Sequence, residues 1–191
     1  MFKTGRSLQS LREKTSRGSV TMFFFLALVG LVSRCAAQDC EPSFRSYQLR
    51  TKASSAYCLT ALNETVRMNL CDSTCRNQIW FLNSTYNFVD AAGSKAFVLT
   101  NAGSGRVLRH RANDDEQVVL IVYCELSSSI LWTLSPESYD KYFAIRPFEN
   151  TQLNLDVDHG DRKHGGVQPN NRLMLFSWHT GDNQLWEFIE A

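Results

Sequence analysis

The sequence carries almost no excess of either charge. Its 20 Lys/Arg and 19 Asp/Glu leave a net charge of +1 over 191 residues, which removes the basic footprint expected of a nucleic-acid-binding domain. It has no apolar run near the ~20 residues that a membrane-spanning helix needs; residues 22–32 form an uninterrupted run of only eleven, which argues against stable membrane insertion. Gly-x-Ser-x-Gly, His-Glu-x-x-His and a phosphate-binding loop are all absent, and with them the commonest signatures of hydrolases, zinc proteases and nucleotide enzymes. Gly103-Ser104-Gly105 lacks their spacing and reads as a turn. Asp114, Asp115 and Glu116 are adjacent in sequence, unlike the separated acid pair of a glycosidase. Cys71 and Cys75 have no second ligand pair at zinc spacing, and His159 and His164 have no third ligand, so no metal site is expected. Nothing calls for a cofactor, and the chain reads as a non-enzyme. What is present is 43% hydrophobic and 20% charged, the balance and length of one globular domain.

The charge is unevenly placed. Residues 1–37 hold six Lys/Arg and one acid, so the remaining 154 residues keep 14 bases and 18 acids. A basic stretch, the run 22–32 and the small residues Cys35-Ala36-Ala37 together predict a secretory signal peptide over 1–37, with natural initiation at Met1 or Met22. Secretion would leave five cysteines, Cys40, Cys58, Cys71, Cys75 and Cys124, in an oxidising compartment. An odd number leaves one free thiol or one bridge between two copies, hence a route to a disulfide-linked dimer. Asn63-Glu64-Thr65 and Asn83-Ser84-Thr85 are glycosylation sequons, which predict exposed loops in a secreted chain.

Internal repetition is the strongest signal. Asn77-Gln78-Ile79-Trp80 recurs as Asn183-Gln184-Leu185-Trp186, with a degraded copy Ser129-Ile130-Leu131-Trp132 between them. Upstream of each Trp lie Cys58-Leu59-Thr60, Val107-Leu108-Arg109 and Asn154-Leu155-Asp156. Each copy opens on a strand-like segment at Tyr47, Phe97 or Phe143 and contains a short apolar strand that ends at Cys71, Cys124 or Trp178. No window outside residues 22–32 has a helical period, so three copies of about four strands predict an all-β body with threefold character. The Gln and Trp of the motif, two residues apart, are expected on one strand face, with Trp80, Trp132 and Trp186 in the core and the Gln amide satisfying turn backbone. Ile130 replaces that Gln in the second copy.

The Gln-x-Trp repeat, with Leu155-Asp156-Val157 about thirty residues before Trp186, resembles the ricin B-type lectins. The resemblance covers residues 43–191, in copies of about 43–90, 91–138 and 139–191, and implies a β-trefoil. It implies a glycan site in the third copy: Asp156 as carboxylate, Phe176 as aromatic platform with Trp178 as the alternative, Asn183 as amide, Gln184 orienting the turn, and His159 adding a contact. A carboxylate accepts two hydroxyl hydrogen bonds and an Asn amide both donates and accepts, which is what sugar hydroxyls require. Met174 stands where the family often has a second polar contact. Asp156 also has a bland reading, that of a turn cap. The first copy has Thr60 and Asn69 at the carboxylate and aromatic positions, and the second has Arg109 and Val122. Arg106, Arg109 and Arg111 read either as an anion site or as solvated charges facing Asp114–Glu116. Cys58 and Cys71 stand at positions that such repeats bridge, Cys124 faces Val107 in the equivalent place, and Cys40 with Cys75 is the remaining pair.

The sequence therefore predicts a secreted carbohydrate-binding protein for glycans, galactose-type termini by analogy, with one site in the third repeat. The alternative is an extracellular protein-interaction module that kept the trefoil and lost its sugar site.

Overall fold

Three tryptophans organise the chain. Trp80, Trp132 and Trp186 are fully buried. Each indole N–H donates to a main-chain carbonyl of its own repeat: Leu59 at 2.9 Å, Leu108 at 3.0 Å and Leu155 at 2.8 Å. A large apolar ring needs a core, and its one polar atom needs a buried acceptor. The computed structural model describes residues 45–135 and 140–191; the predicted signal segment and Cys40 lie outside them.

The first repeat contributes β1 (Arg45–Thr51), β2 (Ser54–Leu62), β3 (Thr65–Leu70) and β4 (Trp80–Asn83). The second contributes β5 (Val98–Asn101), β6 (Val107–Arg109), β7 (Glu116–Gln117), β8 (Val119–Ile121) and β9 (Trp132–Leu134). The third contributes β10 (Ile145–Pro147), β11 (Leu153–Val157), β12 (Leu173–Ser177) and β13 (Trp186–Glu190). Among the described residues there is no α-helix, and no helix is long and apolar enough to cross a membrane.

Antiparallel pairing closes six of these strands into a ring. β1 pairs with β4 at Tyr47↔Trp80 and with β13 at Thr51↔Trp186. β4 pairs with β5, β9 with β10, and the bridges Phe97↔Trp132 and Phe143↔Trp186 complete the circuit. A closed ring leaves no strand edge exposed for aggregation. The other strands form one hairpin per repeat: β2–β3, β6–β8 and β11–β12. The hairpins touch one another through Thr65↔Val119, Gln117↔Met174 and Arg67↔Arg172. Leu49, Leu59, Met68, Leu99, Leu108, Leu120, Ile145 and Leu155 fill the space between ring and hairpins around the three indoles. This is the β-trefoil that the sequence resemblance implies.

Three local expectations are corrected. Gln78 and Gln184 do not alternate with Trp on a strand; each ends a 3₁₀ turn, Arg76–Gln78 and Asp182–Gln184. The amide still satisfies backbone: Gln78 accepts from the Asp72 N–H at 2.7 Å and donates to the Leu70 carbonyl at 2.8 Å. In the second repeat Ile130 packs instead into an apolar cluster with Ala96, Val98 and Val107, and the strand end at Val122–Cys124 is exposed, so water can take over the amide's role there. Val107 faces Ile121, not Cys124, because β8 ends at Ile121 and residues 122–124 lie beyond the paired strand. Asn83 closes β4 opposite Val98 and is half-buried, with Thr85 bonded to its side chain at 2.8 Å. It is thus not the exposed-loop asparagine expected, whereas Asn63 is exposed at the β2–β3 turn.

Cys58 and Cys71 form a disulfide across β2 and the end of β3, with Cα atoms 5.0 Å apart. Cys75 and Cys124 are bonded to no described cysteine. Closing 13 residues is worth about 3 kcal/mol. Non-reducing peptide mapping is expected to recover Cys58 linked to Cys71; Cys58 linked elsewhere contradicts this packing. Trp186→Ala is expected to cost about 3–5 kcal/mol, a loss of roughly 10 °C in Tm at this size. Trp186→Phe should lose less, since it keeps most of the ring and forfeits chiefly the bond to Leu155.

Candidate functional site

The third hairpin presents the carboxylate and the aromatic together. β11 and β12 pair Asp156 with Met174 and Asn154 with Phe176. Residues two apart on a strand share a face, so Asp156 and Phe176 are diagonal neighbours on one side of the hairpin. Phe176 is 37% exposed and Met174 is buried. The 3₁₀ turn before Trp186 then brings Asn183 to Asp156, with Nδ2 donating to Asp156 Oδ1 at 2.9 Å and to the Val157 carbonyl at 3.0 Å. Asn183 Oδ1 is buried and has no hydrogen-bond partner among the described residues.

Asp156 is itself buried, where a surface carboxylate was expected. Its carboxylate is held by side chains, Asn183 and His179, whose Nε2–H donates at 2.9 Å. That is the geometry of a positioned acceptor and not of a turn cap, in which the carboxylate would take backbone N–H groups. Burial, first of all, raises the Asp156 pKa to about 6, with the His179 hydrogen bond and charge opposing the shift and Asp158 adding to it. Gln184 is fully buried beneath the site. It accepts from the His179 main-chain N–H at 3.1 Å and donates to the Ser177 carbonyl at 3.0 Å. It therefore fixes the segment that carries His179.

A cleft of about 390 Å³ opens over these groups, lined among others by Asp156, His159, Met174, Phe176, His179 and Asn183. The structure thus brings Asp156, Phe176, Asn183 and His159 to one cleft and puts Gln184 under it. Trp178, two residues beyond Phe176, does not line it. His159 stands at the rim, its Nδ1 3.0 Å from Asp158 Oδ1 and its ring 4.7 Å from that of His164. Arg172 bonds Asp158 from β12's approach, and Asp115 reaches the cleft from the second repeat. Among the described residues no group of three or more His, Cys, Asp or Glu side chains could hold a metal ion.

Sequence reasoning missed His179. Its only sequence signal is an ionisable residue between the aromatic strand and Asn183-Gln184. Gly181 belongs to the same arrangement: a Cβ there would lie 2.3 Å from both Asn183 Oδ1 and His179 Cε1, so any side chain would displace two site groups. The other repeats lack the set. In the first, Thr60 takes the Asp position and Asn69 the Phe position, opposite Cys58. In the second these are Arg109 and Ile121, one residue earlier than the expected Val122. Of the loop charges, Arg111 pairs with Glu116 at 3.0 Å, whereas Arg106 pairs with Glu64 at 3.4 Å.

No family model matches the chain. Among curated proteins it is 37% identical over 143 residues to the ricin B-like lectin EULS3 of Arabidopsis thaliana, a match covering 73% of this chain and 45% of that protein. It is 30% identical over 151 residues to the ricin B-like lectin R40G3 of Oryza sativa subsp. japonica, covering 77% of this chain and 72% of the relative. The chain spans less than half the length of the first of these relatives and of R40G2. Among solved structures, a designed threefold-symmetric protein, ThreeFoil, matches with a TM-score of 0.59 at 19% identity over 76% of this chain and 99% of its own. The Macrolepiota procera ricin B-like lectin, solved with lactose, matches at 0.59 and 18% identity over 78% and 97%. Both show the fold.

The raised Asp156 pKa carries a stability consequence. The folded protein keeps a proton on Asp156 up to about pH 6, which the unfolded chain releases near the ordinary 3.8. This group therefore favours folding fully below pH 3.8, and the contribution is lost as pH rises through 6. Asp156→Asn removes the titration. Its Tm relative to the parent should rise between pH 4.5 and pH 7.5; a difference that stays flat or falls contradicts the assignment.

Proposed function

The chain belongs to the ricin B-like lectin family, and we propose that it is a non-enzymatic carbohydrate-binding protein whose third repeat holds one glycan terminus of galactose type. The observation that carries the reading is the juxtaposition of a buried acceptor pair with an exposed ring: the Asp156 carboxylate, the partnerless Asn183 Oδ1, and Phe176. A sugar presents hydroxyl donors on its edge and C–H groups on its face, and this cleft offers the complement of both. Asn183 Oδ1 gains the partner it lacks when a hydroxyl donates to it. Met174, apolar and buried beside Asp156, adds no polar contact, so a single such site is weak and useful binding needs several copies or linked modules. The galactose assignment follows the family resemblance and the lactose complex of the Macrolepiota procera protein.

We place the protein on the secretory route. The basic, apolar and small-residue succession of residues 1–37 supports this, as do the Cys58–Cys71 bridge and the exposed Asn63 sequon. Cys124, exposed and unbonded, is the thiol through which two copies would join.

A glycan array probed with the parent, Asp156→Asn and Phe176→Ala tests the site. Galactose-terminated glycans should be retained by the parent. Either substitution should weaken them about 10- to 100-fold, the loss of a charge-assisted hydrogen bond or of stacking area, with both variants still folding cooperatively. Binding that ignores both changes moves the site elsewhere, and a parent that binds no glycan favours the interaction module. Binding should also fall as pH drops through about 6, because the Asp156 carboxylate is lost there; equal affinity at pH 4.5 and 7.5 contradicts its role as acceptor.

A further inference from the structure

Strand alternation turns the residue after Thr60, Arg109 or Asp156 back toward the core. In the first and third repeats that residue is apolar and buried, Ala61 and Val157. In the second it is His110, only 1% exposed. The second repeat thus puts an ionisable ring where its counterparts put a methyl or an isopropyl group.

His110 is built in as a neutral group. Its ring stands edge-on to that of Trp132, with centroids 4.7 Å apart at 81°. Its Nε2 lies 3.0 Å from the Leu131 carbonyl. A carbonyl only accepts, so Nε2 carries the hydrogen. Nδ1 is buried and has no hydrogen-bond partner among the described residues, so a second proton would find no acceptor there. The His110 main-chain N–H donates to the Ser129 carbonyl at 2.9 Å. Side chain and backbone together fasten β6 to the 3₁₀ turn Ser128–Ile130 and to Trp132, in the one repeat where Ile130 stands in place of the motif glutamine. Two charges act on the ring. Glu149, on the turn after β10, favours a proton, and Arg109, its neighbour in β6, opposes one. Arg111 and Glu116 pair with each other at 3.0 Å, and Ser129, Leu131 and Trp132 carry no charge. Burial, the largest effect, pushes the His110 pKa below the ordinary 6.5.

We propose that His110 is an acid-triggered switch of the second repeat: protonation drives the ring away from Trp132, releases the Leu131 and Ser129 carbonyls, and opens β6 from the apolar cluster of Ala96, Val98, Val107, Ile130 and Leu131. The sign follows from linkage. Above pH 6.5 the closed and open forms both hold the ring neutral, and the repeat keeps its full stability. Below 6.5 the open form binds a proton that the closed form refuses, so closure weakens by up to about tenfold per pH unit. Asp156 acts in the opposite sense, so acid loosens the second repeat and not the third.

Hydrogen exchange of the full chain at pH 7.5 and pH 5.0, corrected for intrinsic rates, tests this through local opening. Segments 107–110 and 128–134 should open roughly 10- to 30-fold more often at pH 5.0, while 153–157 and 173–177 keep their protection. The His110 ring ¹⁵N signals should show the Nε2–H form at pH 7.5 and titrate below 6.5. His110→Gln keeps a side-chain donor for Leu131, and His110→Phe keeps the ring against Trp132; neither titrates, and both should abolish the difference between the two pH values. Equal opening at both pH values in the parent overturns the proposal. So does a loss of protection spread evenly over the three repeats, or a His110 ring that titrates at 6.5 or above. A pH effect that survives in either variant overturns it as well. The parent readings decide even where a variant fails to fold, and none of them depends on glycan binding.

Discussion

A buried indole N–H that must find an acceptor is the constraint on which this molecule depends. In each repeat the acceptor is the carbonyl of a leucine on the first strand of the hairpin, Leu59, Leu108 or Leu155. That bond ties the last strand of a repeat to its hairpin and sets the hairpin's register over the core. It also places function. Each leucine is fully buried, so strand alternation turns the next residue to the opposite face of the hairpin. That next residue is Thr60, Arg109 or Asp156, a position at which the three hairpins differ in chemistry. The core interaction and the site are one peptide bond apart.

The same scaffold therefore carries three unlike surfaces. Threefold repetition fixes backbone positions and leaves side chains free to differ, so the fold alone does not say which repeat binds what. In the third repeat a second tier of contacts completes the site: Gln184 holds the His179 segment, and His179 and Asn183 hold the carboxylate. In the first repeat Gln78 holds its turn in the same way and also donates to the Thr60 hydroxyl at 3.1 Å, which ties up the side chain at the Asp156 position. In the second, Ile130 ends that tier in an apolar cluster.

What could be read in the sequence follows from what is local or repeated. The tryptophan spacing, the strand period and the positions of Asp156, Phe176 and Asn183 within their copy are all local or repeated, and they carry the fold and much of the candidate site. The contacts that escaped are long-range or depend on turns. Asp115 reaches the third-repeat cleft because β7 pairs with β12, which nothing near Asp115 announces. His179 matters because a 3₁₀ turn folds Asn183 back onto β11, and a strand reading of the Gln-x-Trp motif hides that turn. The burial of Asp156, and with it the raised pKa, depends on side chains up to 27 residues away. In the second repeat the strand register sets Ile121, one residue before Val122, at the aromatic position.

The central claim is that the third hairpin places an acceptor pair beside an aromatic face so as to hold a sugar ring. A crystal structure of the protein grown with saturating lactose tests it most directly. The account predicts the galactose ring lying on Phe176, with hydroxyls donating to Asp156 and to Asn183 Oδ1, and Trp178 untouched. Lactose bound at another repeat, or an empty third-repeat cleft beside lactose ordered elsewhere on the protein, would contradict it.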